Sequence, residues 1–90
     1  MFVVIFGRPA CPFCVRAKAL AEKLESASAI EGFRYVDIHE EGITKADLEK
    51  TIGKPVQTVP QIFADQMHIG GFTEFDQWVT EQGLLTATAQ

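Results

Sequence analysis

The sequence lacks a long hydrophobic run, lacks an excess of basic charge and has only two cysteines. No stretch approaches the roughly 18 apolar residues that a membrane span requires. The apolar opening Met1–Phe6 stops at Gly7-Arg8-Pro9, has no basic leader and has no small-residue cleavage site. It is therefore not expected to be a secretory leader, and a cytoplasmic location is expected. Eight Lys and Arg stand against 12 Asp and Glu, a formal charge of −4. That balance argues against nucleic acid as a partner, which would call for a basic footprint. Two cysteines in a reducing compartment point to catalysis or metal binding rather than a structural staple. Disorder is excluded by 47% hydrophobic and 22% charged residues. Ninety residues make one domain, expected over 1–83, with 84–90 a flexible tail.

The apolar residues 2–6 have strand length and are rich in Val, Ile and Phe, as in a strand covered on both faces. A helix is expected from about Pro12, because proline suits the first helical position, to about Ser26. Its apolar stripe is Cys14, Ala17, Ala21 and Leu24. A second strand is expected over 33–38. Thr44 with Asp47 has the form of a capping box, and Gly53-Lys54-Pro55 should end that helix. Gln61–Ala64 and Met67–Ile69, separated only by Asp65-Gln66, predict a hairpin. Thr73 with Asp76 repeats the helix-start pattern, Phe75, Trp78 and Val79 line an inner face, and Gln82-Gly83 should close the helix. The order is β-α-β-α-β-β-α, an α/β fold with a mixed four-stranded sheet flanked by helices.

The chemical signal is Cys11-Pro12-Phe13-Cys14 at a strand-to-helix junction. Thiol exchange requires a thiolate. Cys11 is placed at the helix start, where unpaired N–H groups and the positive dipole end favour an anion, and Arg8 adds positive charge. Cys11 is therefore expected to attack. Cys14, one turn later on the apolar side, is held neutral by burial and suits a resolving role. Half a zinc site is the rival reading, but His39 and His68 are far apart and lack ligand spacing, so both are expected to be surface residues without a catalytic role and no metal is expected.

Two further segments have alternative readings. Pro60 in Thr58-Val59-Pro60-Gln61 fits the first position of a strand, and on general grounds a trans bond is expected, since only about 5–6% of such bonds are cis. If it is cis, Val59 presents its backbone to an extended peptide-like ligand. Gly70-Gly71-Phe72-Thr73-Glu74 reads first as a strand end and a capped helix. Alternatively, Gly71 admits a ligand close to the backbone, and the helix start with Thr73 holds a carboxylate.

Together these features resemble the glutaredoxins, most closely the small bacterial dithiol type called glutaredoxin 1. The matching residues include Phe6-Gly7-Arg8, Cys11-Pro12-Phe13-Cys14-Val15-Arg16-Ala17-Lys18, Tyr35-Val36-Asp37-Ile38, Glu41-Gly42-Ile43-Thr44-Lys45, Gly53-Lys54-Pro55, Thr58–Phe63 and His68-Ile69-Gly70-Gly71. The resemblance implies a thioredoxin fold, a cis Pro60, and glutathione as reducing co-substrate with no tightly bound cofactor. It makes Cys11 the nucleophile and Cys14 the resolving thiol. It pairs Val59 with the cysteinyl part of glutathione, with Thr58 and Pro60 shaping the groove. Gly71, Thr73 and Glu74 take the γ-glutamyl end, and Arg8, with Gln57 as a weaker candidate, takes the glycine carboxylate. Phe13 and Phe72 stand where the family commonly has Tyr, and Glu74 where Asp is usual, so the groove keeps its apolar walls but loses hydroxyls.

The expected activity is glutathione-dependent thiol–disulfide exchange by a monomer. Protein disulfides would be reduced through both cysteines, and glutathionylated proteins through Cys11 alone. The family offers ribonucleotide reductase among possible targets. Two rivals are a glutathione-ligated iron–sulfur dimer, which Pro12 disfavours, and a thioredoxin-like electron donor, which the Thr58–Pro60 and Gly70–Thr73 segments disfavour.

Overall fold

The apolar opening becomes the central-left strand of a small sheet, β1 (Phe2–Gly7), in the computed structural model, which describes residues 1–8, 11–53 and 59–83. It is followed by α1 (Pro12–Ser26), β2 (Gly32–Asp37), α2 (Lys45–Ile52), β3 (Gln61–Ala64), β4 (Met67–Gly70) and α3 (Phe72–Glu81). The strands lie in the order β2-β1-β3-β4. β1 runs parallel to β2, with Ile5 opposite Tyr35, and antiparallel to β3, with Ile5 opposite Ile62. β3 and β4 form the expected antiparallel hairpin. The expected tail over 84–90 lies outside the described residues, as do Lys54 and Pro55 of the expected helix stop.

Side-chain alternation along β1 decides where the core sits. Val3 and Ile5 are fully buried, whereas Val4 and Phe6 are half-buried. The strand is therefore not sealed on both faces, as its continuous apolar run suggested. α1 and α3 pack on one face, and on the other Phe6 meets Phe63 edge-on at 5.9 Å. The covered face collects Val3, Ile5, Ala17, Ala21, Leu24, Ile62, Phe75 and Val79. The small residues Ala17 and Ala21 let α1 lie close to the sheet, so the 3.6-residue period read from the sequence is also the packing period.

Local chemistry sets the element ends. At α2, the Thr44 hydroxyl accepts the Asp47 N–H at 3.1 Å, and the Asp47 carboxylate accepts the Thr44 N–H at 2.9 Å. These two bonds satisfy orphan helix donors. They hold the Asp47 carboxyl below its ordinary value of 3.8. The carboxylate's contribution is therefore complete above that value and lost as acid protonates it. Gly53 closes α2 in the left-handed conformation (φ 85°), as the sequence predicts. Thr44→Ala should lower the melting midpoint by about 4–8 °C, the size of one lost cap in a domain this small. An unchanged midpoint by circular dichroism would show that α2 contributes nothing to global stability.

Two expectations change. His68 is half-buried rather than on the surface: its Nε2 lies 2.7 Å from the Gln61 side-chain oxygen and its ring is 5.1 Å from Phe63. The reason is position, since a residue on the two-stranded edge leans over its cross-strand neighbours. α3 starts at Phe72 rather than at a Thr73–Asp76 cap. Its N-cap is Gly71, and the Glu74 carboxylate reaches back to the Gly71 N–H at 2.8 Å. Glycine has no side chain to complete a reciprocal box, so the Glu74 carboxylate at the third helical position supplies the single capping bond, and Thr73 lies in the first turn.

Candidate active site

Cys11 is the N-cap of α1, with extended backbone (φ −100°, ψ 114°) and Pro12 just inside the helix. Its Sγ accepts the Cys14 N–H at 3.2 Å, the service that Ser or Asp usually performs at a cap. An anionic sulfur accepts such a bond better than a neutral one. The same Sγ lies 3.7 Å from the Val59 carbonyl oxygen, to which the neutral thiol donates. Cys11 is partly exposed, Cys14 is buried, and both are free thiols.

Cys14 faces inward among β1 and β2. Burial, and then hydrogen bonding with Cys11, push its thiol up to about 11. The Arg8 backbone and the Tyr35 hydroxyl act in the opposite direction. Tyr35 is itself pushed up to about 12, first by burial and then by the nearby Cys14. Its hydroxyl donates to the Arg8 carbonyl at 3.0 Å. Arg8 therefore reaches the cysteine pair through its main chain, while the side chain is exposed.

Beside Cys11 lies an open cleft of about 260 Å³, lined by Phe13, Val59, Pro60, Gly71, Phe72, Thr73 and Glu74. The Val59–Pro60 bond is cis, as the family resemblance implied and general grounds did not. Phe13 is 51% exposed, so half its ring is available to a ligand. It tilts against Phe72 at 6.3 Å, and the Arg16 guanidinium sits 5.5 Å from its ring centre. The start of α3 points donors at the far end of the cleft. One Glu74 oxygen is already engaged by Gly71, so any ligand contact from this side chain must share that role.

Seven residues proposed from the sequence thus converge on one cleft at the rim of which Cys11 sits. Thr58 and Gln57 lie outside the described residues. Three residues at the site, Gly7, Tyr35 and Arg16, stand in segments that resemble the family but carry no role in the sequence reading. Gly7 is the only one with a usable signal, a glycine directly before the cysteine loop, but a close approach to it cannot be told from a strand end. Among the described residues, no group of three or more His, Cys, Asp or Glu side chains is placed to hold a metal ion. Nor is any helix among them long and apolar enough to cross a membrane.

Comparison with known proteins agrees with this geometry. The glutaredoxin family model matches residues 3–69. Glutaredoxin 1 of Salmonella typhimurium is 69% identical over 81 residues, covering 90% of this chain and 93% of the relative. The structure of reduced Escherichia coli glutaredoxin superposes with a TM-score of 0.82 at 62% identity, covering 90% of this chain and 95% of that one. A buckwheat glutaredoxin–glutathione complex is similar with a TM-score of 0.70 at 26% identity, covering 91% of this chain and 71% of that one.

Proposed function

The chain belongs to the glutaredoxin family of thiol–disulfide oxidoreductases, has their thioredoxin fold, and is similar to bacterial glutaredoxin 1 proteins; we propose that its reductant is glutathione and that its substrates are protein disulfides and glutathionylated proteins. The observation that carries this reading is the Cys11 sulfur at the start of α1, 3.7 Å from the Val59 carbonyl on the wall of the cleft. The glutathione complex of the buckwheat relative supports the choice of tripeptide.

In this reading, an extended cysteinyl segment lies along Val59 and pairs with its main chain, which brings the ligand's sulfur to Cys11. The γ-glutamyl carboxylate takes the N–H groups at the start of α3 and the Thr73 hydroxyl. Its ammonium group takes the Glu74 carboxylate. Phe13 and Phe72 cover the apolar flank, and Gly71 lets the ligand approach its backbone.

The Cys11 thiolate attacks a substrate disulfide, forms a mixed disulfide and expels one thiolate. On a protein disulfide, Cys14 then attacks the Cys11 sulfur, releases the reduced target and leaves a Cys11–Cys14 disulfide. Two glutathiones return the pair to thiols and leave as glutathione disulfide. On a glutathionylated protein, Cys11 takes the glutathionyl group, and a second glutathione removes it as glutathione disulfide. Exchange rates depend on both the attacking and the leaving thiolate, and Cys11 serves in turn as each.

The test is turnover of a glutathionylated peptide with glutathione and glutathione reductase as the regenerating pair. Turnover should require glutathione and saturate with it. Turnover driven by thioredoxin reductase without glutathione would overturn the assignment in favour of a thioredoxin-like donor.

A further inference from the structure

We propose that Tyr35 is a positioning residue for the second sulfur: its hydroxyl meets Cys14 over the α-carbon of Gly7 and donates to that sulfur as it becomes the attacking thiolate. The inference rests on the reading of Cys14 as the resolving cysteine and adds a residue to it.

The geometry begins with a missing side chain. A β-carbon on Gly7 would stand 2.5 Å from the Tyr35 hydroxyl, 2.9 Å from Cys14 Sγ and 3.0 Å from Cys14 Cβ. The absent side chain is therefore the space in which phenol and thiol come together. Strand pairing places them there. Ile5 and Gly7 lie on one face of β1, Tyr35 is opposite Ile5 on the parallel β2, and the long ring spans the diagonal to Gly7.

Before the second step the hydroxyl has a weaker task. It donates to the Arg8 carbonyl at 3.0 Å, which fixes its oxygen beside the sulfur. A phenol carries a single proton and turns it toward the stronger acceptor. A thiolate is a stronger acceptor than a neutral thiol, so the proton has reason to swing only when Cys14 ionises. The Lys18 ammonium lies over the ring, 5.6 Å from its centre. Tyr35 itself, raised to about 12, remains a donor throughout the range in which the protein works. The ionisable groups that bear on the pair are Cys11 and Lys18 on α1 and Asp37 on β2.

The step balances without another reactant. Starting from Cys11 disulfide-bonded to a target, the Cys14 thiol gives its proton to water. Its sulfur forms a bond to the Cys11 sulfur, and the Cys11–target bond breaks. The electron pair leaves on the target thiolate, which takes up a proton from solvent. Tyr35 stabilises the anion on the way and is itself unchanged.

Single-turnover release of the second peptide thiol, the one left on Cys11 after its first attack on a disulfide-linked peptide pair, tests this in four proteins: wild type, Tyr35→Phe, Cys14→Ser and the double variant. Tyr35→Phe keeps the ring and its packing. It should slow release about tenfold, the scale of one hydrogen bond to a charged group. In the Cys14→Ser background, where turnover on a glutathionylated peptide bypasses the second sulfur, adding Tyr35→Phe should cost far less than tenfold. In a Cys11→Ser background, the same change should raise the pH at which Cys14 reacts with a thiol reagent. If wild type and Cys14→Ser release the peptide equally fast, the resolving role of Cys14 fails. If wild type is faster than Cys14→Ser but Tyr35→Phe retains the wild-type rate, the resolving role stands and the assignment of Tyr35 fails. An equal loss with and without Cys14 also overturns it, because it shows a general structural effect.

Discussion

Replacing Cys11 with serine is expected to abolish both reactions, whereas Cys14→Ser should remove the reduction of protein disulfides and spare the removal of glutathione from proteins. The difference follows from where the two sulfurs sit. Cys11 is partly exposed, accepts the Cys14 N–H at 3.2 Å and faces the Val59 wall of the cleft. Every first attack passes through it, and serine oxygen at this position is almost entirely protonated and a poor nucleophile. Cys14 is buried and its thiol is pushed up to about 11, so it is a poor first attacker. The largest cause of that shift is burial, which remains after Cys11 has been modified. Release of a target by Cys14 should therefore accelerate with rising pH, by about tenfold per unit while its thiolate is scarce. Equal losses in the two variants on a glutathionylated peptide would contradict the assigned roles. A flat pH profile of target release would show that Cys14 is already ionised when it attacks.

The second large effect is expected at a residue with no side chain. Gly7→Ala places a methyl group 2.5 Å from the Tyr35 hydroxyl and 3.0 Å from Cys14 Cβ. The Cys14 atom belongs to a helix anchored by buried Ala17, Ala21 and Leu24, and the Tyr35 hydroxyl is tied to the Arg8 carbonyl at 3.0 Å, so relief requires breaking that bond or moving α1. Overpacking of this kind costs about 1–3 kcal/mol. Both the urea midpoint and the rate of target release should fall, because the methyl pushes apart the two groups that the second step brings together. Tyr35→Phe added to Gly7→Ala removes the closest of these contacts and should restore part of the stability while leaving release slow. A Gly7→Ala protein with the wild-type midpoint would show that α1 can shift outward freely, contrary to the packing seen here.

The cysteine pair, its helix and the capping of α2 were legible because each rests on near neighbours in the chain. Pro12 and Cys11 determine the start of α1 between them, and the Thr44–Asp47 box closes across three residues. The register of α1 was equally plain, since Cys14, Ala17, Ala21 and Leu24 repeat with the helix turn. The α3 start is not decided locally, because Thr73 with Asp76 and Gly71 with Glu74 are both plausible over short range. The choice fell to the main chain leaving β4, which turns at Gly70 (φ 127°) and delivers Gly71 as the cap. The environment of His68 is likewise not a local property, because its contact with Gln61 depends on the hairpin register.

By itself the sequence determined a β-α-β-α-β-β-α chain with one cysteine at a helix start and a second, inward cysteine one turn on, because periodicity and capping are local properties of the backbone. Only the tertiary structure decided that Val59, Phe72 and Glu74 share a cleft with Phe13, and that Tyr35 shares the space above Gly7 with Cys14. Those meetings depend on which strands pair and in what register, and distances between residues so far apart in the chain are set by the packing of the whole sheet.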